Sequence, residues 1–242
     1  MNLVKEDYIF TSELHSIFMY SSNDYNPIHS DTSFIKNTSL KDINIHGTHI
    51  MLKVLNTLLK YEIKVLEMNV KFMSSIYRNE LIYLSIDFEN NTVLISSNNK
   101  LCVKINYIKD NKSIRLAQYI KYDKPKYLQS RFLSFNDVSA MKNRKFQIIK
   151  SSSELNSIYP DVFRIYHESL ISELCSISYL IGMECPGFHS IEGGMSIRFY
   201  NKERNSISPN FSVSFADERF DYIVIMIESI TFSATVDVIY RR

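Results

Sequence analysis

Residues 20–47, YSSNDYNPIHSDTSFIKNTSLKDINIHG, join a short polar motif to a glycine that stands just before an apolar segment. Asp24, Asn26 and His29 lie close together around Pro27. The proline ring fixes its own φ and biases Asn26 away from helical geometry, so the motif is predicted to form a fixed turn rather than a mobile loop. A carboxylate and an imidazole brought together in this way are the most common pair for moving protons near neutral pH.

The far end of the same stretch places His46-Gly47 before residues 50–59, IMLKVLNTLL, whose apolar side chains recur at helical spacing. A glycine at a helix start lets a substrate approach the backbone closely. The N–H groups of the first turn, with the positive end of the helix dipole, then point at that substrate. This is the physics of an oxyanion hole, so Gly47 is a candidate donor to a substrate oxygen.

Each feature also has a purely structural interpretation. Asp-x-Asn-Pro is a common turn signature in which Asp24 would bind local backbone amides, and His29 alone would be a hydrogen-bonded structural histidine. His46 and His49 have an i, i+3 spacing that suits metal ligands, but no third ligand follows at a recognisable spacing, so no metal is predicted. The aliphatic and Met residues of 50–59 are most simply core.

The same order of elements occurs twice along the chain. In the first half, the helix 50–59 is followed by runs that are typical of strands, separated by Asn, Asp, Lys and Ser clusters: 67–73, 81–88, 92–96, 101–108 and 114–122. In the second half, Pro160-Asp161 begins a helix that should end near Gly182 or before Pro186. The strands predicted after it are 195–200, 211–215, 222–228 and 232–240.

This repetition predicts an α+β chain of two halves, 1–125 and 126–242, each an antiparallel sheet wrapped around its helix. Residues 121–130, with Pro125 among them, are the best linker candidate. The halves could pair edge to edge into one continuous sheet and so hide two exposed edges. The alternative is a single α+β domain with a large irregular sheet.

Composition narrows the class of protein. A net charge of +2 over 242 residues gives no electrostatic case for nucleic acid or an anionic membrane surface. The start MNLVKEDYIF is not a signal peptide, and the longest apolar run, 222–227, is far shorter than a membrane span. Three cysteines, far apart, make a disulfide framework or structural zinc site unexpected. A cytoplasmic location is predicted. Only five glycines occur, four of them between residues 182 and 194.

The motif 22–29, SNDYNPIH, followed by His46-Gly47 and a helix, resembles the MaoC-like, or (R)-specific enoyl-CoA hydratase 2, family, whose pattern is Ser-Gly-Asp-x-Asn-Pro-[Leu/Ile]-His and then His-Gly. The resemblance implies a double hotdog fold and reversible hydration of a trans-2-enoyl thioester to an (R)-3-hydroxyacyl thioester. Asp24 and His29 would then exchange the protons, Asn26 would orient one of them, and the Gly47 N–H would polarise the thioester carbonyl.

The resemblance further implies a substrate carried on coenzyme A or acyl carrier protein, and no metal or redox cofactor. A homodimer is one option for the oligomeric state, which the sequence leaves open. Asn23 and His46 are expected to bind substrate. Asn23 departs from the family pattern, because it stands where glycine is usual; Asn is the residue that best tolerates a left-handed turn there.

The second half lacks the Asp-x-Asn-Pro-x-His motif and carries GMECPGFHSIEGG at residues 182–194 instead. In the family, paired hotdogs share a pocket at their interface, so the second half is expected to complete a single active site with His189 and Ser190 in its wall. The alternative is a tight glycine turn between the helix and the next strand, in which the Ser190 side chain has only a structural, capping role. Two other functions stay open: a non-catalytic hotdog that binds acyl thioesters, and a hotdog thioesterase.

Overall fold

The strands of both halves lie in one antiparallel sheet. The computed structural model describes residues 3–110, 121–200 and 208–241. The first half contributes β1 (Leu3–Ile9), β2 (Val65–Phe72), β3 (Leu81–Asp87), β4 (Thr92–Ser97) and β5 (Lys100–Lys109). The second half contributes β6 (Arg144–Lys145), β7 (Ser190–Phe199), β8 (Asn210–Asp217), β9 (Tyr222–Glu228) and β10 (Phe232–Tyr240). Their order across the sheet is β1-β3-β4-β5-β2-β7-β10-β9-β8-β6.

Two long helices lie against this sheet and contact each other: α4 (Gly47–Lys60) and α7 (Pro160–Tyr179), which continues into a π-helical turn, Leu180–Glu184. The short helices are α1 (Ser12–Ser22), α2 (Pro27–Ser30), α3 (Thr32–Ile35), α5 (Phe135–Ser139) and α6 (Ser153–Ile158). Every side chain of α4 from Thr48 to Leu59 is buried, as expected of a helix enclosed on all sides. Apolar residues of both long helices and of the strands form one core cluster.

The halves join through β2 and β7, which pair antiparallel from Glu67↔Arg198 to Lys71↔Gly194. The predicted edge-to-edge pairing is therefore confirmed. Within the described residues, the two outermost strands of the sheet are β1 and β6, and β6 is a two-residue strand of Arg144 and Lys145. A short, charged edge of this kind discourages pairing with another chain.

Several elements differ from the prediction. The strand β1 and the helix α1 were not predicted, although β1 alternates regularly between exposed and half-buried side chains. The first strand after α7 begins at Ser190, not at residue 195, because residues 190–194 already pair with β10. Most of the predicted strand 114–122 lies outside the described residues. The division of the chain at residue 125 stays a prediction.

Candidate active site

The polar motif lies where α1 ends and α2 begins. Asn23 caps the C-terminus of α1 with a left-handed φ of 54°, the conformation that the sequence predicts for it. Asn26 caps α2, since its Oδ1 accepts a hydrogen bond of 3.2 Å from the Ile28 N–H, and Pro27 is the first residue of that helix. The motif is therefore more than a plain turn: it connects the end of α1 to the start of α2, and His29 lies on the single turn of α2.

The Asp24 carboxyl group is buried and is held by both halves of the chain. Its Oδ1 accepts a hydrogen bond of 3.1 Å from the Asn26 N–H, and its Oδ2 accepts one of 2.7 Å from Ser178 Oγ, near the end of α7. Burial raises the pKa of Asp24 to about 7, against the smaller lowering effect of these two hydrogen bonds. A carboxyl group with this pKa can release or accept a proton near neutral pH.

The hydrogen bonds of His29 define which ring nitrogen carries the lone pair. Its Nδ1–H donates to the carbonyl oxygen of Asn44 at 2.7 Å, which leaves Nε2 as the acceptor in the neutral ring. Burial lowers the pKa of His29 to about 3, and the backbone hydrogen bond only partly opposes this. His29 is therefore a neutral imidazole whose free nitrogen is available as a proton acceptor.

His46 and Gly47 form the start of α4 beside this pair. The His46 ring stacks on the His29 ring with centroids 3.7 Å apart, and its Nε2–H points to the Asp24 carbonyl oxygen at 3.3 Å. Nε2 is also 3.6 Å from Asp24 Oδ2, but burial holds the pKa of His46 well below its usual range, so this is not an ion pair. His46 makes no side-chain cap, and the first helical amides have no intrahelical acceptor.

Asn26 ties the motif to the second half. Its Nδ2 lies within hydrogen-bond distance of the carbonyl oxygens of Gly182 (3.1 Å) and Gly187 (3.0 Å), and of Ser190 Oγ (3.2 Å). The side chain is fully buried. Asn26 thus both caps α2 and fixes the loop after α7, which is a more structural role than the orientation of a neighbouring catalytic group.

The side chains of Asp24, His29 and His46 face one cavity of about 220 Å³ between the halves, whereas Asn26, predicted as a catalytic residue, is not among the residues that line it. Asp24, His29, His46 and Gly47 line it from the first half, and Ser178, Ser190 and Glu192 line it from the second. Apolar residues complete the wall: Ile50, Phe72, Ile76, Ile181, Ile191 and Ile239. A largely apolar cleft with a few convergent polar groups is the usual form of a small-molecule site.

Two of the predicted substrate-binding residues lie elsewhere. Asn23 is not among the residues that line the cavity. His189 lies in a neighbouring groove with Phe34, Phe188 and Arg241. Ile191 lines both spaces, so the groove and the cavity share a wall.

Three residues that the sequence did not predict as part of a site line the cavity: Ser178, Gly182 and Glu192. A Cβ built on Gly182 would lie 2.1 Å from Asp24 Oδ1, so only glycine leaves room for the carboxyl group. The scarcity of glycine in this chain was the available signal for Gly182. Nothing in the local sequence marks Ser178, which is one of many serines.

Three residues here could offer ligand atoms to a metal ion. The ligand atoms of Asp24, His29 and His46 lie within 4.8 Å of one another. His46 would have to give up its contact with the Asp24 carbonyl oxygen, and its ring stacks against His29 rather than converging with it. His49, the other residue of the i, i+3 pair, lies outside this group and stacks on Phe18 at 4.4 Å between centroids.

No family model matches the sequence, and a search of curated proteins finds no significant match. Solved structures do match the fold over nearly the whole chain. A MaoC-like dehydratase has a TM-score of 0.61 at 11% identity, over 98% of this chain and 97% of that one. A MaoC domain protein dehydratase from Chloroflexus aurantiacus has a TM-score of 0.60 at 9% identity, over 100% and 95%.

A conserved hypothetical protein from Mycobacterium tuberculosis, described as a double hotdog, has a TM-score of 0.62 at 7% identity, over 98% of this chain and 95% of that one. At such identities the likeness concerns the fold alone. It confirms the predicted α+β double hotdog. None of the helices in the described ranges combines the length and apolarity needed to cross a membrane.

Proposed function

We propose that this chain is a MaoC-like hydro-lyase that interconverts (R)-3-hydroxyacyl and trans-2-enoyl thioesters. The observation that carries the proposal is the position of Asp24 and His29, which face one cavity beside the N-terminus of α4. This arrangement supplies a carboxyl group, a neutral imidazole and helix N-terminal amides around one small space. An α,β-elimination uses such groups as acid, as base and as stabiliser of the developing negative charge.

In the dehydration direction, His29 Nε2 accepts the proton from Cα, and the electron pair of that C–H bond forms the double bond. Asp24, in its acid form, gives its proton to the β-hydroxyl group, the C–O bond breaks, and water leaves. Hydration is the reverse: Asp24 takes a proton from water as the oxygen bonds to Cβ, and the His29 imidazolium protonates Cα. The hydrogen bond from His29 Nδ1 to Asn44 supports this assignment, because it directs the lone pair to Nε2.

Gly47 binds the thioester carbonyl oxygen through its N–H. Negative charge develops on that oxygen as the Cα proton leaves, and the N-terminus of α4 stabilises it. The apolar wall formed by residues such as Ile50 and Ile181 holds the acyl chain and keeps water away from the reacting atoms.

The neighbouring groove fits the carrier arm. It has a volume of about 470 Å³, and in it the Arg241 guanidinium lies 4.8 Å from the centre of the Phe34 ring. A cation over aromatic rings suits the phosphate and amide groups of a phosphopantetheine arm. Since Ile191 belongs to both spaces, the arm lies in the groove and the acyl group enters the cavity.

The test is to incubate the protein with crotonyl-CoA and with crotonyl acyl carrier protein. We expect the absorbance of the conjugated thioester to fall as water adds, without release of free thiol, and the faster substrate identifies the carrier. Thiol release would indicate a thioesterase. Saturable binding of both substrates without any chemical change would indicate a non-catalytic binding protein.

A further inference from the structure

Glu192 brings a carboxyl group of the second half against the Gly47 backbone of the first. It lies on β7 and lines the cavity. A Cβ built on Gly47 would lie 1.9 Å from Glu192 Oε2. The carboxyl oxygen therefore occupies the space that any side chain at position 47 would fill, directly beside the first amide of α4.

In this carboxyl group, Oε2 is shielded from solvent and has no hydrogen-bond partner in the described part of the chain. A buried polar atom without a partner has lost the hydrogen bonds that water would give it in the unfolded chain. Such atoms are uncommon in folded proteins and call for an explanation, for which a ligand that supplies the missing partner is one. Here the unpartnered oxygen belongs to a residue that lines the cavity assigned to substrate.

We propose that the carboxylic acid of Glu192 donates a hydrogen bond to the thioester carbonyl oxygen, beside the Gly47 N–H, so that each half contributes one donor to the oxyanion hole. This inference rests on the function proposed above. The two donors stabilise the charge on the same oxygen as His29 removes the Cα proton. Glu192 keeps its own proton throughout, and no bond to it forms or breaks.

The acid form that this role requires is the one that the site favours. Burial, and to a lesser extent the negative charge of Asp24, raise the pKa of Glu192 to about 8. Asp24 titrates first, at a pKa of about 7. Two carboxyl groups in one cavity whose pKa values differ in this way can take different roles, one exchanging protons and the other staying protonated.

Among the described residues that line the cavity with Glu192, none is a lysine or an arginine. The other titratable side chains that line the cavity are Asp24, His29 and His46. On the flanking strands, Asp237 of β10 and Lys71 of β2 both pair with Gly194 rather than with Glu192.

Two substitutions separate hydrogen-bond donation from space filling. Glu192→Met has a similar length but no donor, and Glu192→Gln keeps an N–H donor that never ionises. We expect Glu192→Met to lower kcat about a hundredfold with little change in KM, the usual effect of losing one oxyanion-hole donor. Glu192→Gln should keep most of the wild-type kcat, and Tm measurements on both report whether each variant folds.

The pH profile gives a second readout that a structural role would not change. In the wild type, both Asp24 and Glu192 ionise as pH rises, so log kcat/KM should fall with a slope approaching about −2 above pH 8. In Glu192→Gln only Asp24 remains, and the slope should be about −1.

Each failure has its own signature. If Glu192→Met keeps wild-type kcat, or if the slope of Glu192→Gln equals that of the wild type, the role of Glu192 is wrong while the hydratase assignment stands. Equal loss in the Met and Gln variants would indicate packing and would also overturn it. If the wild type hydrates neither crotonyl thioester, the proposed function falls, and the role of Glu192 with it.

Discussion

Ser178 Oγ donates a hydrogen bond of 2.7 Å to Asp24 Oδ2 from the opposite half of the chain. The two residues are 154 positions apart in sequence, and through this bond the second half partly offsets the rise in the Asp24 pKa that burial causes. The second half is therefore part of the chemistry of the proposed reaction as well as a wall of its cavity.

Asp24→Asn and His29→Ala are each expected to lower kcat about a hundredfold or more, the usual scale for general acid–base groups. Neither should unfold the protein. Asn at position 24 keeps an oxygen for the Asn26 N–H, and its amide N–H can donate to Ser178 Oγ in place of the present hydrogen bond. Steady-state hydration of crotonyl-CoA measures kcat, and Tm reports the fold. Asp31→Asn, at the exposed N-cap of α3, is the matched control and should keep full activity.

Ser178→Ala is expected to move the basic limb of the pH–rate profile to higher pH. The active form of the Asp24/His29 pair carries one proton, so activity falls once pH exceeds the Asp24 pKa of about 7. The Ser178 hydrogen bond favours the carboxylate and lowers that pKa. Without this bond the Asp24 pKa rises, so the acid form of Asp24 remains populated at higher pH. Ser169→Ala, also buried on α7, should leave the limb in place, and an unmoved limb in Ser178→Ala would contradict the assignment.

Asn26→Ala is expected to lower the free energy of unfolding by about 1–3 kcal/mol, because buried carbonyl oxygens of the loop after α7 lose their donor and α2 loses its cap. Urea denaturation measures the loss. Asn37→Ala removes a hydrogen bond of 3.3 Å from an exposed side chain and should cost much less. Equal losses would show that Asn26 does not hold the halves together.

Gly182→Ala is expected to lower kcat severely, because the new methyl group would lie 2.1 Å from the present position of Asp24 Oδ1 and must displace that carboxyl group. The loss should not add to that of Asp24→Asn, since both changes remove the same proton transfer. The double variant is therefore expected to retain the activity of Asp24→Asn alone. Additive losses would mean that Gly182 acts elsewhere.

Dialysis against a strong chelator is expected to leave activity unchanged. The experiment is needed because the ligand atoms of Asp24, His29 and His46 lie within 4.8 Å of one another and could bind a metal ion. If activity were lost on chelation and restored by a divalent cation, the acid–base assignment of Asp24 and His29 would be wrong, because both would be metal ligands.

The sequence was informative where function depends on neighbouring residues. The junction around Pro27 and the glycine before α4 are local features, so their residue types predict their geometry. The hydrophobic pattern of α4 and of the strands β9 and β10 predicts those elements closely, since each buries apolar side chains at a regular period.

The sequence was uninformative where function depends on contacts across the chain. Ser178 and Glu192 lie near Asp24 and His29 because β2 pairs with β7 and joins the two halves. A single sequence carries no local pattern that predicts this contact. The strand β1 was missed for a related reason. It lies at a sheet edge with charged side chains, so tertiary pairing with β3 and not intrinsic pattern defines it.

The backbone ladder between β2 and β7 also has a kinetic consequence. It runs beside the cavity from Glu67 to Lys71, and opening the two halves like a hinge would break several main-chain hydrogen bonds at once. Substrate entry and product release should then proceed through side-chain rotation at the cavity mouth, on a time scale far shorter than domain opening. For the proposed reaction, proton transfer rather than product escape is then the step expected to limit turnover.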